Sequence, residues 1–141
     1  MPELTSTRAV DRFLATRRQL IVHLMKLSKA LDDNHHDIAQ VLLLRFCENL
    51  VDYLGDGYFR IYGDLLSSHT WATPREYAIF ESTTSTAMTF NDRFADKNPT
   101  DMPATRRALA NVALALETRF ELEDQLFDRT QESIPALASA S

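Results

Sequence analysis

Leu43, Phe46, Leu50, Leu54, Ile61 and Leu65 keep near-helical spacing across Gly55-Asp56-Gly57. That run is the strongest constraint in the chain, because a long amphipathic helix has to bury its apolar stripe against other helices or a sheet. The two glycines cost roughly 1 kcal/mol each relative to alanine inside a helix. The stretch therefore reads as one helix over residues 38–66 with a built-in kink or irregularity near Gly55-Gly57. Arg45, Glu48, Asn49, Asp52 and Asp56 recur at intervals of three and four, which lines them along a single polar face.

The rest of the chain supplies helical partners. Val10, Phe13, Leu14, Leu20, Ile21, Leu24 and Leu27 form a stripe that predicts a first helix over residues 8–31, with Arg17 inside the stripe. A short polar connection follows, with Asp37 the expected cap of the second helix. Thr73-Pro74 with Glu76 is a start signal: a capping hydroxyl, then proline at the first helical position. The third helix is expected to run to Phe94, with Tyr77, Phe80, Thr84, Ala87, Met88 and Asn91 turned inward. Its Ser82-Thr83-Thr84-Ser85-Thr86 run has poor helix propensity. Asp101 with Pro103 begins a fourth helix to about Glu132, with Leu109, Val112, Ala113, Leu116, Phe120, Glu123, Leu126 and Phe127 on its inner side. Ser133-Ile134-Pro135 is expected to end it.

Four amphipathic helices with short connections give an all-α, up-down-up-down four-helix bundle. The expected organisation is one bundle domain over residues 1–132 and a disordered tail over 133–141. At 141 residues the chain is long enough to bury a core without staples. A single cysteine, Cys47, leaves no internal disulfide and fits a reducing compartment. No apolar run approaches the ~20 residues that span a bilayer. Residues 1–7 lack the basic-then-apolar order of a secretory signal, so the cytoplasm is the expected location. The net charge of −5 disfavours a phosphate backbone as partner and suits a basic protein better.

The residues that carry chemistry are few. Di-iron bundles take Glu-x-x-His ligands from facing helices, and no Glu-x-x-His occurs here. His23 lies on the first helix, whereas His35, His36 and His69 fall in or near connections. No metal and no cofactor are expected. Cys47 sits mid-helix among apolar residues with no base at hand, and Gly55-x-Gly57 lacks the strand and lysine of a phosphate loop. No catalytic residue emerges. Arg17, and Glu123 on the fourth helix, are charges at inward positions. A buried charge is costly unless paired, so these two predict either a polar contact across the bundle that Arg119, four residues before Glu123, can join, or side chains that snorkel to the surface at the ends of the stripe.

Three segments in register resemble a known family. Ala9-Val10-Asp11-Arg12-Phe13-Leu14-x-x-Arg17-x-x-Leu20 resembles the first-helix motif of the Rsd/AlgQ family, regulators of the primary sigma factor in bacteria. Phe46-Cys47-x-x-Leu50-Val51-Asp52-Tyr53 followed by Gly57-x-Phe59-x-x-Tyr62 is similar to its second-helix motif. Leu116-Glu117-x-Arg119-Phe120-x-Leu122-Glu123-Asp124 resembles its last-helix motif. The likeness implies a non-enzymatic anti-sigma factor that binds the C-terminal, −35-reading region of the sigma-70-type housekeeping factor. By that binding it would keep the factor from core RNA polymerase, with no direct contact to nucleic acid or membrane. Carried over by position, the implied partner-binding residues are Asp52 first, then Tyr53, Asp56, Phe59, Asp11 and Arg12. Arg17, Arg119 and Glu123 are assigned to a polar network inside the bundle. The family pattern has histidine where Tyr58 stands and an acid where Gly63 stands. The alternatives are a hemerythrin-like metal-binding bundle and a self-associating scaffold.

Overall fold

The computed structural model describes residues 7–57, 73–95 and 101–140, with side chains for 10–57, 73–95 and 101–128. Among these the chain forms four helices and no strand: α1 (Thr7–Asp32), α2 (His36–Asp56), α3 (Pro74–Phe94) and α4 (Met102–Ala140).

The tight α1–α2 turn has a local cause. Asn34 takes a left-handed backbone at φ 57°, a conformation asparagine tolerates better than most residues. The His35 N–H then reaches back to Ala30 O at 2.9 Å, and the Asn34 N–H reaches Leu31 O at 3.2 Å. This pair of bonds satisfies carbonyls that the end of α1 would leave bare. The expected cap at Asp37 is replaced: α2 begins two residues earlier, after His35, which makes no side-chain capping bond. Asp37 lies instead in the first turn, where its charge meets the positive end of the helix dipole.

The α3 start is the one read from sequence. Thr73 accepts from the Glu76 N–H at 3.1 Å, and Glu76 accepts from the Thr73 N–H at 2.8 Å. Asp101 caps α4 through the Ala104 N–H at 3.0 Å. That helix runs past the expected stop and continues through Pro135 to Ala140. Behind α2, Gly57 keeps a right-handed helical backbone, and its N–H is shared between the carbonyls of Leu54 and Tyr53. The remainder of the expected second helix, with Tyr58, Phe59, Tyr62 and Gly63, lies outside the described residues.

One apolar core joins all four helices, built from Phe13, Leu20, Leu27, Leu43, Phe46, Leu50, Phe80, Phe90, Leu109, Val112, Leu116 and Leu126 among others. Phe46 and Phe90 meet edge to face at 5.5 Å and tie α2 to α3. Phe13 stacks on Tyr53 at 5.4 Å and meets Phe127 at 6.0 Å, which ties α1 to α2 and α4. The buried face of α3 differs from the expected one: Glu76, Phe80, Thr83, Ala87, Phe90 and Phe94 point inward, while Tyr77 and Met88 are exposed. Phe90 and Phe94 are wholly apolar, whereas an inward Tyr77 would bring a hydroxyl that needs a partner. The Ser/Thr run between the two ends offers too little apolar contrast to reveal that register.

Candidate functional site

Two polar constellations stand out, one inside the bundle and one on its surface. The inner one is centred on Arg119 and Glu123, one turn apart on α4 and both sealed from solvent. The Arg119 Nε donates to the Tyr53 hydroxyl at 3.0 Å. Its Nη1 donates to Thr83 Oγ1 at 3.1 Å, to Thr84 Oγ1 at 2.6 Å and to the Phe80 carbonyl at 3.3 Å. The guanidinium also lies over the rings of Tyr53 and Phe80, at 5.5 and 5.3 Å from their centres. The Tyr53 hydroxyl in turn donates to Glu123 Oε2. From α1, Arg17 Nη1 donates to Glu123 Oε1 at 3.1 Å and Nη2 to Asp124 Oδ1 at 2.8 Å. The structure thus brings Arg17, Arg119 and Glu123 together, and the network takes members from all four helices.

Sequence reasoning missed four members of this network. Tyr53 stood on the expected partner-binding patch, but it is fully buried with its hydroxyl between Arg119 and Glu123. One residue along a helix turns the side chain by about 100°, so Asp52 and its neighbour cannot share a face. Buried Thr83 and half-buried Thr84 supply the hydroxyls that answer Arg119, and their poor helix propensity was the available signal. Asp124 points away from Glu123, as adjacent helical residues do, yet the forked Arg17 reaches both.

Burial sets the electrostatics. It pushes the Glu123 carboxyl up to about 8, against the opposing hydrogen bonds from Tyr53 and Arg17. It also raises the Tyr53 phenol well above its usual range, helped by the neighbouring Glu123. Burial lowers the Arg119 guanidinium, opposed by Tyr53. At Arg17 burial acts to lower the guanidinium, but the bonds to Asp124 and Glu123 outweigh it and hold the group above its usual value. Perturbed groups of this kind mark either catalysis or a structural ion network. Arg119, Tyr53 and Glu123 are 2 %, 0 % and 1 % exposed, so a substrate in solvent has no access to them, and their chemistry is that of a brace.

The outer constellation follows α2. Asp52, Glu48 and Arg45 are exposed, and Asp56 is half-buried with its Oδ2 accepting from Thr16 Oγ1 at 3.1 Å. Asn49 Nδ2 donates to Arg45 O at 2.8 Å and lies 3.2 Å from His23 Nδ1 on α1. Asp11 and Arg12 are exposed near the start of α1. Phe59 lies outside the described residues. Among the described residues no group of three or more His, Cys, Asp or Glu side chains is placed to hold a metal ion. No described helix is long and apolar enough to cross a membrane.

Helices braced by an internal ion network, with charged side chains displayed along one outer helix, define an all-α four-helix bundle protein. The chain belongs to the Rsd/AlgQ family, described as regulator of RNA polymerase sigma(70) subunit, whose model matches residues 4–131. Its relatives include the "Regulator of sigma D" of Yersinia enterocolitica, 32 % identical over 91 % of this chain and 83 % of the relative. The protein of that name from Yersinia pseudotuberculosis is also 32 % identical, over 91 % of this chain and 82 % of its own length. That from an Enterobacter species is 33 % identical over 86 % and 79 %. No solved structure matches the chain.

Proposed function

We propose that this chain is a non-enzymatic anti-sigma factor. It captures the C-terminal, −35-reading region of the primary sigma factor and so holds that factor away from core RNA polymerase. Membership in a family of sigma(70) regulators carries the reading. The net charge of −5 agrees with it, since the implied target region is a basic helix-turn-helix that an acidic helical surface can cover. Asp52 is the principal contact: it is exposed on α2 and stands in the Leu50-Val51-Asp52-Tyr53 segment that matches the family motif. Asp56, Asp11, Arg12 and Phe59 complete the proposed patch, and Tyr53 supports it from beneath. The protein acts in the cytoplasm and touches no nucleic acid directly.

The test is capture of purified primary sigma factor by the purified chain. Intact factor should be retained, and factor lacking its C-terminal region should not. Asp52→Arg should weaken the complex by about 2 kcal/mol or more, through like charge set against a basic partner. Retention of the truncated factor would sink the regional assignment. Undiminished binding by Asp52→Arg would remove that residue from the contact.

A further inference from the structure

The outward face of α2 carries more than acids. Ile38, Val41, Leu44 and Val51 are all exposed there, with Ile38 and Val41 more than half so, at 54 % and 53 %. An apolar row this open on a surface helix needs a partner or risks nonspecific association. Its pattern says which partner fits. Ile38, Val41, Arg45, Glu48, Asp52 and Gly55 follow one another at steps of three and four, along one stripe of the helix. Turned end for end about a point between Phe46 and Cys47, the stripe maps onto itself: 38 onto 55, 41 onto 52 and 45 onto 48.

We infer that this face pairs with the same face of a second copy of the chain, the two α2 helices running antiparallel across a two-fold axis near residues 46 and 47. Such an interface is isologous, so each contact occurs twice. Arg45 comes level with Glu48 of the second copy, with Asp52 of that copy one turn further on. Val41 comes level with Asp52 of the second copy, while Val51, about 100° further round the helix, flanks the stripe. Ile38 falls over the second copy's Gly55, where no side chain among the described residues beyond its chain neighbours lies within 4 Å of the position a Cβ would take. The apolar end of each helix therefore meets an open glycine, and the single cation of the stripe meets an acid.

The same stripe fits a wholly basic partner less well, because Arg45 would oppose like charge at its middle. Pairing also covers Asp52. Self-association and capture of the sigma factor are thus mutually exclusive, a consequence that rests on the anti-sigma reading, whereas the pairing itself does not.

Sedimentation equilibrium of the full chain from about 1 to 500 µM is the direct experiment, since mass action must populate the pair as concentration rises. The mean mass should climb from 16.1 kDa toward twice that value. Val41→Glu and Arg45→Glu, both at exposed positions, should each weaken association about tenfold or more, with the helical circular dichroism unchanged. The double swap Arg45→Glu with Glu48→Arg should restore it, because the reversed charges again face each other. A single-chain mass throughout, indifference to both single variants, or a swap that fails to rescue overturns the inference. Added primary sigma factor should resolve pairs into complexes holding one copy of this chain, and a complex that keeps two copies overturns the exclusion. A wild type that stays single while Val41→Glu loses the sigma factor gives the row to that partner and also overturns the pairing. Pairs that form and dissolve as described, in a chain that ignores sigma factor, sink the anti-sigma reading alone.

Discussion

Arg119→Met should cost about 3–5 kcal/mol of stability, the scale seen when one partner of a buried charged network is removed. Methionine nearly fills the volume, so the loss is one of hydrogen bonds more than of packing. The Phe80 carbonyl and the Thr83 and half-buried Thr84 hydroxyls lose a shared donor, the first two in a buried place. The Tyr53 hydroxyl keeps its acceptor Glu123 but loses the donor that orients it. Urea unfolding at fixed pH is the measurement: the midpoint should fall sharply while the slope stays near that of the wild type. Arg107→Ala, at an exposed position on the same helix, should change stability by no more than about 0.5 kcal/mol. Equal midpoints for the two variants would mean that the network does not brace the bundle.

The second large effect is one of pH. Burial raises the Glu123 carboxyl to about 8, well above the value of about 4.3 usual for glutamate in an unfolded chain. Between those two values the folded state holds a proton that the unfolded state has released, so stability falls as pH rises. The contribution is present in full below the unfolded value and is lost as pH passes through about 8. Its slope inside that window approaches about 1.4 kcal/mol per pH unit. Glu123→Gln keeps the shape and cannot ionise, and it should remove this slope. The difference between the two stability profiles isolates Glu123, because the histidines and remaining carboxylates are common to both. Parallel profiles from pH 5 to 8 would show that the buried carboxyl does not titrate as described.

How much of this could be read in the residues alone follows from where the signal lies. The α1 and α4 faces were plain because Phe13, Leu20 and Leu27, like Leu109, Val112, Leu116 and Leu126, keep a helical period on either side of the charges set among them. The start of α3 was plain because Thr73, Pro74 and Glu76 act on one another within four residues. Its inward face was not, since hydroxyl side chains dilute the apolar pattern through its centre and Phe90 and Phe94 decide the register from one end. Arg17 and Glu123 announced themselves as charges in apolar stripes. What answered them was hidden: Thr83 and Thr84 lie more than thirty residues from Arg119. Tyr53 was drawn to the surface patch by its neighbour Asp52, although helical geometry sends adjacent side chains in different directions. The start of α2 was misplaced at Asp37 because the turn is set by a left-handed Asn34, which leaves only a faint trace in composition.

The separations inside the Arg119–Glu123 network carry a kinetic meaning. Tyr53 and Glu123 are 70 residues apart, and Arg17 and Glu123 are 106 apart. Neither contact exists until the first hairpin and the last helix have found each other, whereas α1 and α2, turning tightly at Asn34, can zip together early. The charged cluster is therefore the final latch of the assembly and governs how long the finished bundle persists once closed, more than how fast it forms.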